Sequence, residues 1–175
     1  LIFTVFHSNA QYYSGSNINF GQNRVQYNTF FWQSFDFERF KMHFTKGGKK
    51  HAVYAARSAH SYLGDLEKFL DYTIPEKIHF IIYNSQGKYR QSNIGLTNNL
   101  NSNIGGTANI DGNKIFLYFN GNHESFNEQI KAGISELIIN KILYGNDWKQ
   151  TIKNSSFTNL PFWFKEGLID YLSKD

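Results

Sequence analysis

Apolar residues recur at spacings of three and four over residues 49–70: Val53, Ala56, Ala59 beside His60, Leu63, Leu66 and Leu70. That period places them on one face of an α-helix, which is predicted over this stretch. A second stripe, Phe126, Ile130, Ile134, Leu137, Ile138 and Ile142, predicts a buried helix. Asn122 or Ser125 opens it, and Gly145 stops it just after Leu143. A third helix begins at Pro161, whose fixed φ suits a first turn, and runs through Tyr171. Shorter helical pieces are predicted over 86–90 and 147–153. Elsewhere the period falls to two. Residues 37–44 alternate well enough for a strand with Phe40, Met42 and Phe44 on one face, and 77–83 form a short, β-branched, mostly buried strand. Gly105-Gly106 opens a hairpin whose turn is Asp111-Gly112-Asn113 and whose second strand covers 114–119. Residues 11–35 are polar and aromatic with no helical period, and read as an extended strap. The order of elements predicts an α+β fold, a small mixed sheet packed on helices, without internal repeats.

Composition narrows the class. With 175 residues, 41% of them hydrophobic and only 18% charged, the chain can bury the core of one domain, and whole-chain disorder is excluded. No apolar run approaches the about 18–20 residues that span a bilayer, so the stretch is not membrane-spanning. The absence of cysteine rules out disulfide scaffolds, thiol nucleophiles, zinc ribbons and iron–sulfur sites. The net charge of +4 is scattered. Its one dense run, Lys46-Gly-Gly-Lys49-Lys50-His51, sits where a turn enters the first helix, and reads as a solvated turn rather than a phosphate patch. No nucleic-acid partner is expected. The opening, Leu1-Ile-Phe-Thr-Val-Phe6 followed by small residues and Ala10-Gln11, reads as the tail of a secretory signal peptide, with an N-terminal β-strand as the alternative. On the first reading residues 1–10 are removed and 11–175 form a single domain in the periplasm or cell envelope. With Leu at its start and a helical pattern running out at its end, the sequence reads as a piece of a longer chain.

Candidate chemistry lies on the last two long helices. Ser135-Glu136-Leu137-Ile138-Ile139 is followed, thirty residues after Glu136, by Glu166 in Leu160-Pro-Phe-Trp163-Phe-Lys-Glu166-Gly-Leu-Ile-Asp-Tyr171. This layout resembles that of gluzincin metallopeptidases. They carry His-Glu-x-x-His on one helix and a third-ligand Glu in a Trp-x-x-Glu-Gly-x-x-x-Tyr segment. Histidines at i and i+4 share a helix face and reach one Zn²⁺, while the Glu between them activates the metal-bound water. Phe20-Gly-Gln-Asn-Arg-Val-Gln-Tyr27 with Phe31-Trp32, then Ile81-Ile-Tyr-Asn-Ser85, then Ile104-Gly-Gly-Thr107, are similar to the peptidase-like domain that precedes TolB-like β-propellers in exported Bacteroidetes-type proteins. The resemblance spans residues 20–173. It implies a zincin-like framework, a possible C-terminal propeller in the full-length protein, and a protein or peptide partner in the cell envelope.

The departures from that pattern matter more. The two histidine positions fall at Ser135 and Ile139. Isoleucine cannot ligate a metal and a neutral serine is a poor zinc ligand, so Glu136 at the base position and Glu166 at the third-ligand position are left without the set that zinc needs. The resemblance therefore implies a pseudo-peptidase: no cofactor, no catalytic residue, and vestigial positions at Ser135, Glu136, Ile139 and Glu166. Other histidines do not rebuild the motif. His51 and His60 lie nine residues apart, on opposite faces of a helix at about 100° per residue. His43 and His79 belong to different strands, and are expected as half-buried rings or hydrogen-bonding partners. Asn127, not His, stands four residues after His123. Glu136 and Glu166 would face each other, so one is expected to hold a proton or to find a lysine such as Lys141 or Lys165. Residues expected to touch a partner are Glu136, Glu166, Trp163, Gly106 and Thr107. Two further readings are an active hydrolase, a metallopeptidase that would hold zinc as its cofactor through unusual ligands, and a carbohydrate- or cell-wall-binding module suggested by the 18% aromatic content. Gly105-Gly106 precedes a strand rather than a helix, which argues against a phosphate loop.

Overall fold

The computed structural model describes residues 28–92, 94, 109–145 and 161–174. Five strands are laid out in the order β1-β2-β3-β5-β4: β1 (Trp32–Asp36), β2 (Phe40–Thr45), β3 (Ile78–Tyr83), β4 (Asn109–Asp111) and β5 (Lys114–Tyr118). The central strands β2, β3 and β5 run parallel, and the two edge strands pair antiparallel with their neighbours. Among the described residues four helices accompany them: α1 (Lys49–Leu70), α2 (Gln86–Arg90), α3 (His123–Tyr144) and α4 (Phe162–Ser173). The fold is α+β with a mixed sheet.

Alternation along the strands sets the layers. Phe40, Met42 and Phe44 of β2, Ile78, Phe80 and Ile82 of β3, and Ile115 and Leu117 of β5 form the main core with the buried stripes of α1 and α3. Residues one position along point to the other face, where Ile81, Tyr83 and Phe116 pack with Phe30, Tyr89 of α2 and Ile94. α1 and α3 therefore cover one face and α2 the other. Gly133 lets α3 approach β5 closely: a Cβ there would stand 2.5 Å from Ile115 Cγ2.

The boundaries of α1 and α2 match the sequence expectation, and α3 is capped by Asn122, whose side chain accepts from the Glu124 amide at 2.8 Å. Gly145 ends it at φ +69°, a conformation that favours glycine. Several expectations need correction. Residues 32–36 are an edge strand rather than part of a strap, because β2 supplies a full antiparallel partner from Thr45 to Lys41. β2 starts at Phe40, since residues 37–39 turn the chain between β1 and β2 and the Phe37 amide bonds back to the Phe40 carbonyl. The buried stripe of α1 is Ala52, Ala55, Ala56, Ala59, Leu63 and Leu66, with Val53 and Leu70 half-buried and His60 exposed. Ile142 is 44% exposed rather than buried. Pro161 caps α4 with an extended ψ of 135°, so the helix begins one residue later. The proposed leader, the helix over 147–153, Gly105, Gly106 and Thr107 lie outside the described residues. Among those described, no helix is long and apolar enough to cross a membrane.

Candidate functional site

Ser135 and Ile139 lie one turn apart on α3, and both positions are already occupied by packing. Ser135 is fully buried, with its hydroxyl 2.8 Å from that of Tyr62 on α1. The Tyr62 hydroxyl in turn donates to the Leu172 carbonyl near the end of α4, at 2.5 Å. Since that hydroxyl has a single proton, the serine is the donor in the other bond. The chain Ser135–Tyr62–Leu172 thus links three helices. Ile139 packs with Ala132 and Ile169 in a small apolar cluster, with Leu143, Leu168 and Leu172 at its edge.

Glu136 and Glu166 are brought near each other, as the α3–α4 pairing requires. Lys165 Nζ is 3.5 Å from Glu136 Oε1 and both side chains are largely buried. Burial raises the Glu166 carboxyl above its ordinary range, the negative charge of Glu136 raises it further, and Lys165 acts in opposition. Of the two lysines foreseen, Lys165 takes the role; Lys141 pairs with Glu76 at 2.6 Å instead. Trp163 projects from the first turn of α4 with 74% of its surface exposed, its ring 5.9 Å from that of Phe164. A buried amide escaped the sequence reading. Asn140 lies one turn beyond Glu136, fully buried, and neither polar atom of its side chain has a partner among the described residues. Its signal was the polar residue that ends the apolar run Leu137-Ile138-Ile139.

His43, His79, His51 and His123 pack on neighbouring rings, while His60 is exposed. His43 and His79 stack on the sheet face opposite α1, with rings at 14° and His43 Nε2 3.1 Å from His79 Nδ1. One ring must donate and the other accept, which requires that at least one be neutral. Burial pushes His43 down to about 4, and the charges of His79 and Lys41 push the same way. His51 stacks on Phe119 at 4.1 Å, and burial lowers its pKa, with His123 adding to the effect. Among the described residues no three His, Asp or Glu side chains form a group able to hold a metal ion. Chemically, the α3–α4 face offers a carboxylate–ammonium pair and a second carboxyl whose pKa burial and the charge of Glu136 raise. Compared with protein-family models, curated proteins and solved structures, the chain matches none.

Proposed function

We propose that the chain is a non-catalytic, pseudo-metallopeptidase domain of an exported protein, acting as a binding or assembly scaffold in the periplasm or cell envelope. The observation that carries this reading is the state of Ser135 and Ile139. In the gluzincin arrangement that the sequence resembles, these positions would present imidazoles to a metal. Here one is an isoleucine packed on Ile169 and the other a serine whose hydroxyl is held by Tyr62. Glu136 has Lys165 beside it rather than a water-activating role, and Glu166 lies where its proton is held more tightly. Two carboxyls with an ammonium between them do not make the three-ligand set of a catalytic zinc centre. The exported setting follows from the resemblance to domains of exported proteins. Exposed Trp163, in the turn of α4 before Glu166, is suited to anchor a protein partner, because a large ring releases much apolar surface from water on contact.

The test is metal content. The protein is incubated with excess Zn²⁺, desalted, and its zinc per chain measured by elemental mass spectrometry, with a fluorogenic peptide panel assayed in parallel. Negligible zinc and no hydrolysis are expected from the folded protein. Stoichiometric zinc, lost in Glu166→Gln, would refute the reading and restore the hydrolase alternative with Glu136 as base.

A further inference from the structure

A groove runs along α1, closed on its other side by α3 and α4. Two adjoining cavities compose it, one of about 520 Å³ against α3 and one of about 610 Å³ against α4, and they share Tyr62 and Asp65. One side is a row on α1 spaced every four residues: Arg57, Ser61, Asp65 and Phe69. At about 1.5 Å rise per residue the row extends roughly 18 Å. All four are exposed. The opposite side carries Asn127 and Lys131 of α3, then Gly167 and Tyr171 of α4. Phe69 and Tyr171 line the same cavity with 69% and 72% of their surfaces exposed. A Cβ at Gly167 would meet nothing within 4 Å, so the wall next to Tyr171 is open.

We infer that this groove binds a neutral oligosaccharide. Three properties of the lining point there. First, two large exposed rings flank one end, and flat apolar surfaces suit the C–H faces of pyranose rings. Second, the row presents a cationic donor, a hydroxyl and a carboxylate acceptor in succession, matching hydroxyl groups that both donate and accept. Third, the charges are mixed: Arg57 and Lys131 stand with Asp65, while Asp170 and Lys174 pair at 2.7 Å. That balance suits a neutral ligand better than a polyanion, which would need an excess of unpaired cations. A docked amphipathic helix would need a continuous apolar floor, whereas Ser58, Ser61, Asp65 and Asn127 interrupt this one. The inference does not rest on the reading of the α3–α4 face: it needs neither Glu136 nor Glu166, although Tyr62, which holds Ser135, also lines the groove.

The test titrates the chain with a panel of neutral hexasaccharides, namely glucan, xylan, mannan and N-acetylglucosamine oligomers, read by calorimetry and by amide shifts in a ¹⁵N spectrum. Binding of at least one, with shifts centred on Ser61, Asp65, Phe69 and Tyr171, is expected. Phe69→Ala and Tyr171→Ala should each weaken it by about tenfold, while Phe69→Trp retains it; all three alter exposed side chains, and the spectrum reports whether the fold is kept. The inference is overturned if no hexasaccharide binds at millimolar concentration, or if binding is indifferent to both alanine variants. Shifts at Phe69 and Tyr171 with a peptide pool but with no sugar would assign the groove to a protein partner and overturn it equally.

Discussion

Acidification is expected to weaken the fold through one residue. His43 lies beneath the sheet face opposite α1, its ring stacked on His79, with Lys41 and Lys114 adding positive charge and Asp36 opposing them. In the folded chain it takes up a proton only near pH 4, whereas its ordinary value is 6.5. Below 6.5 the unfolded chain therefore binds the proton first. Stability is full above that pH and falls as the pH drops towards the folded value. At 1.36 kcal/mol per unit, the window from 6.5 to about 4 corresponds to a loss of about 3 kcal/mol, a substantial share of the 5–15 kcal/mol typical of a domain. His79 is lowered too, chiefly by burial, and acts in the same direction. Glu166 acts oppositely, because a raised carboxyl gains stability as it protonates. Urea unfolding followed by circular dichroism, from neutral pH down to about 4, compares the wild type with His43→Leu. The wild-type midpoint should fall steeply across the window, and the variant, although less stable at neutral pH, should show a markedly flatter profile. Parallel profiles would refute the reasoning. So would an imidazole resonance of His43 that titrates near 6.5 in the folded protein.

Two further predictions concern helix packing. Tyr62→Phe removes the donor to the Leu172 carbonyl and the acceptor for Ser135, and should cost about 1–3 kcal/mol. In a double-mutant cycle with Ser135→Ala the two losses should be strongly non-additive, and simple additivity would show that the serine is not held by the tyrosine. Gly133→Ala sets helix propensity against space: the gain is about 1 kcal/mol, but the new methyl meets Ile115 Cγ2 at 2.5 Å and overpacking costs about 1–3 kcal/mol. A net destabilisation is expected in thermal unfolding, and a raised Tm would mean that β5 yields more readily than its buried position suggests.

Local physics made much of this architecture legible. The ends of α1, the turn of helix at Gln86–Arg90, the Asn122 cap and the Gly145 stop all follow from backbone preferences that a few neighbouring residues decide. The core face of β2 follows from a period of two. Tertiary structure decided what depends on a partner distant in sequence. Trp32–Asp36 becomes a strand only because β2 lies beside it, and its own alternation is too weak to announce that. Ile142 repeats with the buried stripe of α3 but extends beyond the surface that α1 and the sheet cover, so it meets water. Nothing local distinguishes Lys165 from Lys141 as the neighbour of Glu136; the placement of Glu76 and α4 does. The vestigial positions were visible as residue types, since Ile139 cannot ligate whatever surrounds it. That the Ser135 hydroxyl is held by Tyr62, seventy-three residues away, was not. The groove on α1 is the same kind of feature. Its four-residue row is plain in the sequence, but only the docking of α3 and α4 alongside turns an exposed helix face into a cavity, because concavity belongs to the assembly of elements and not to any one of them.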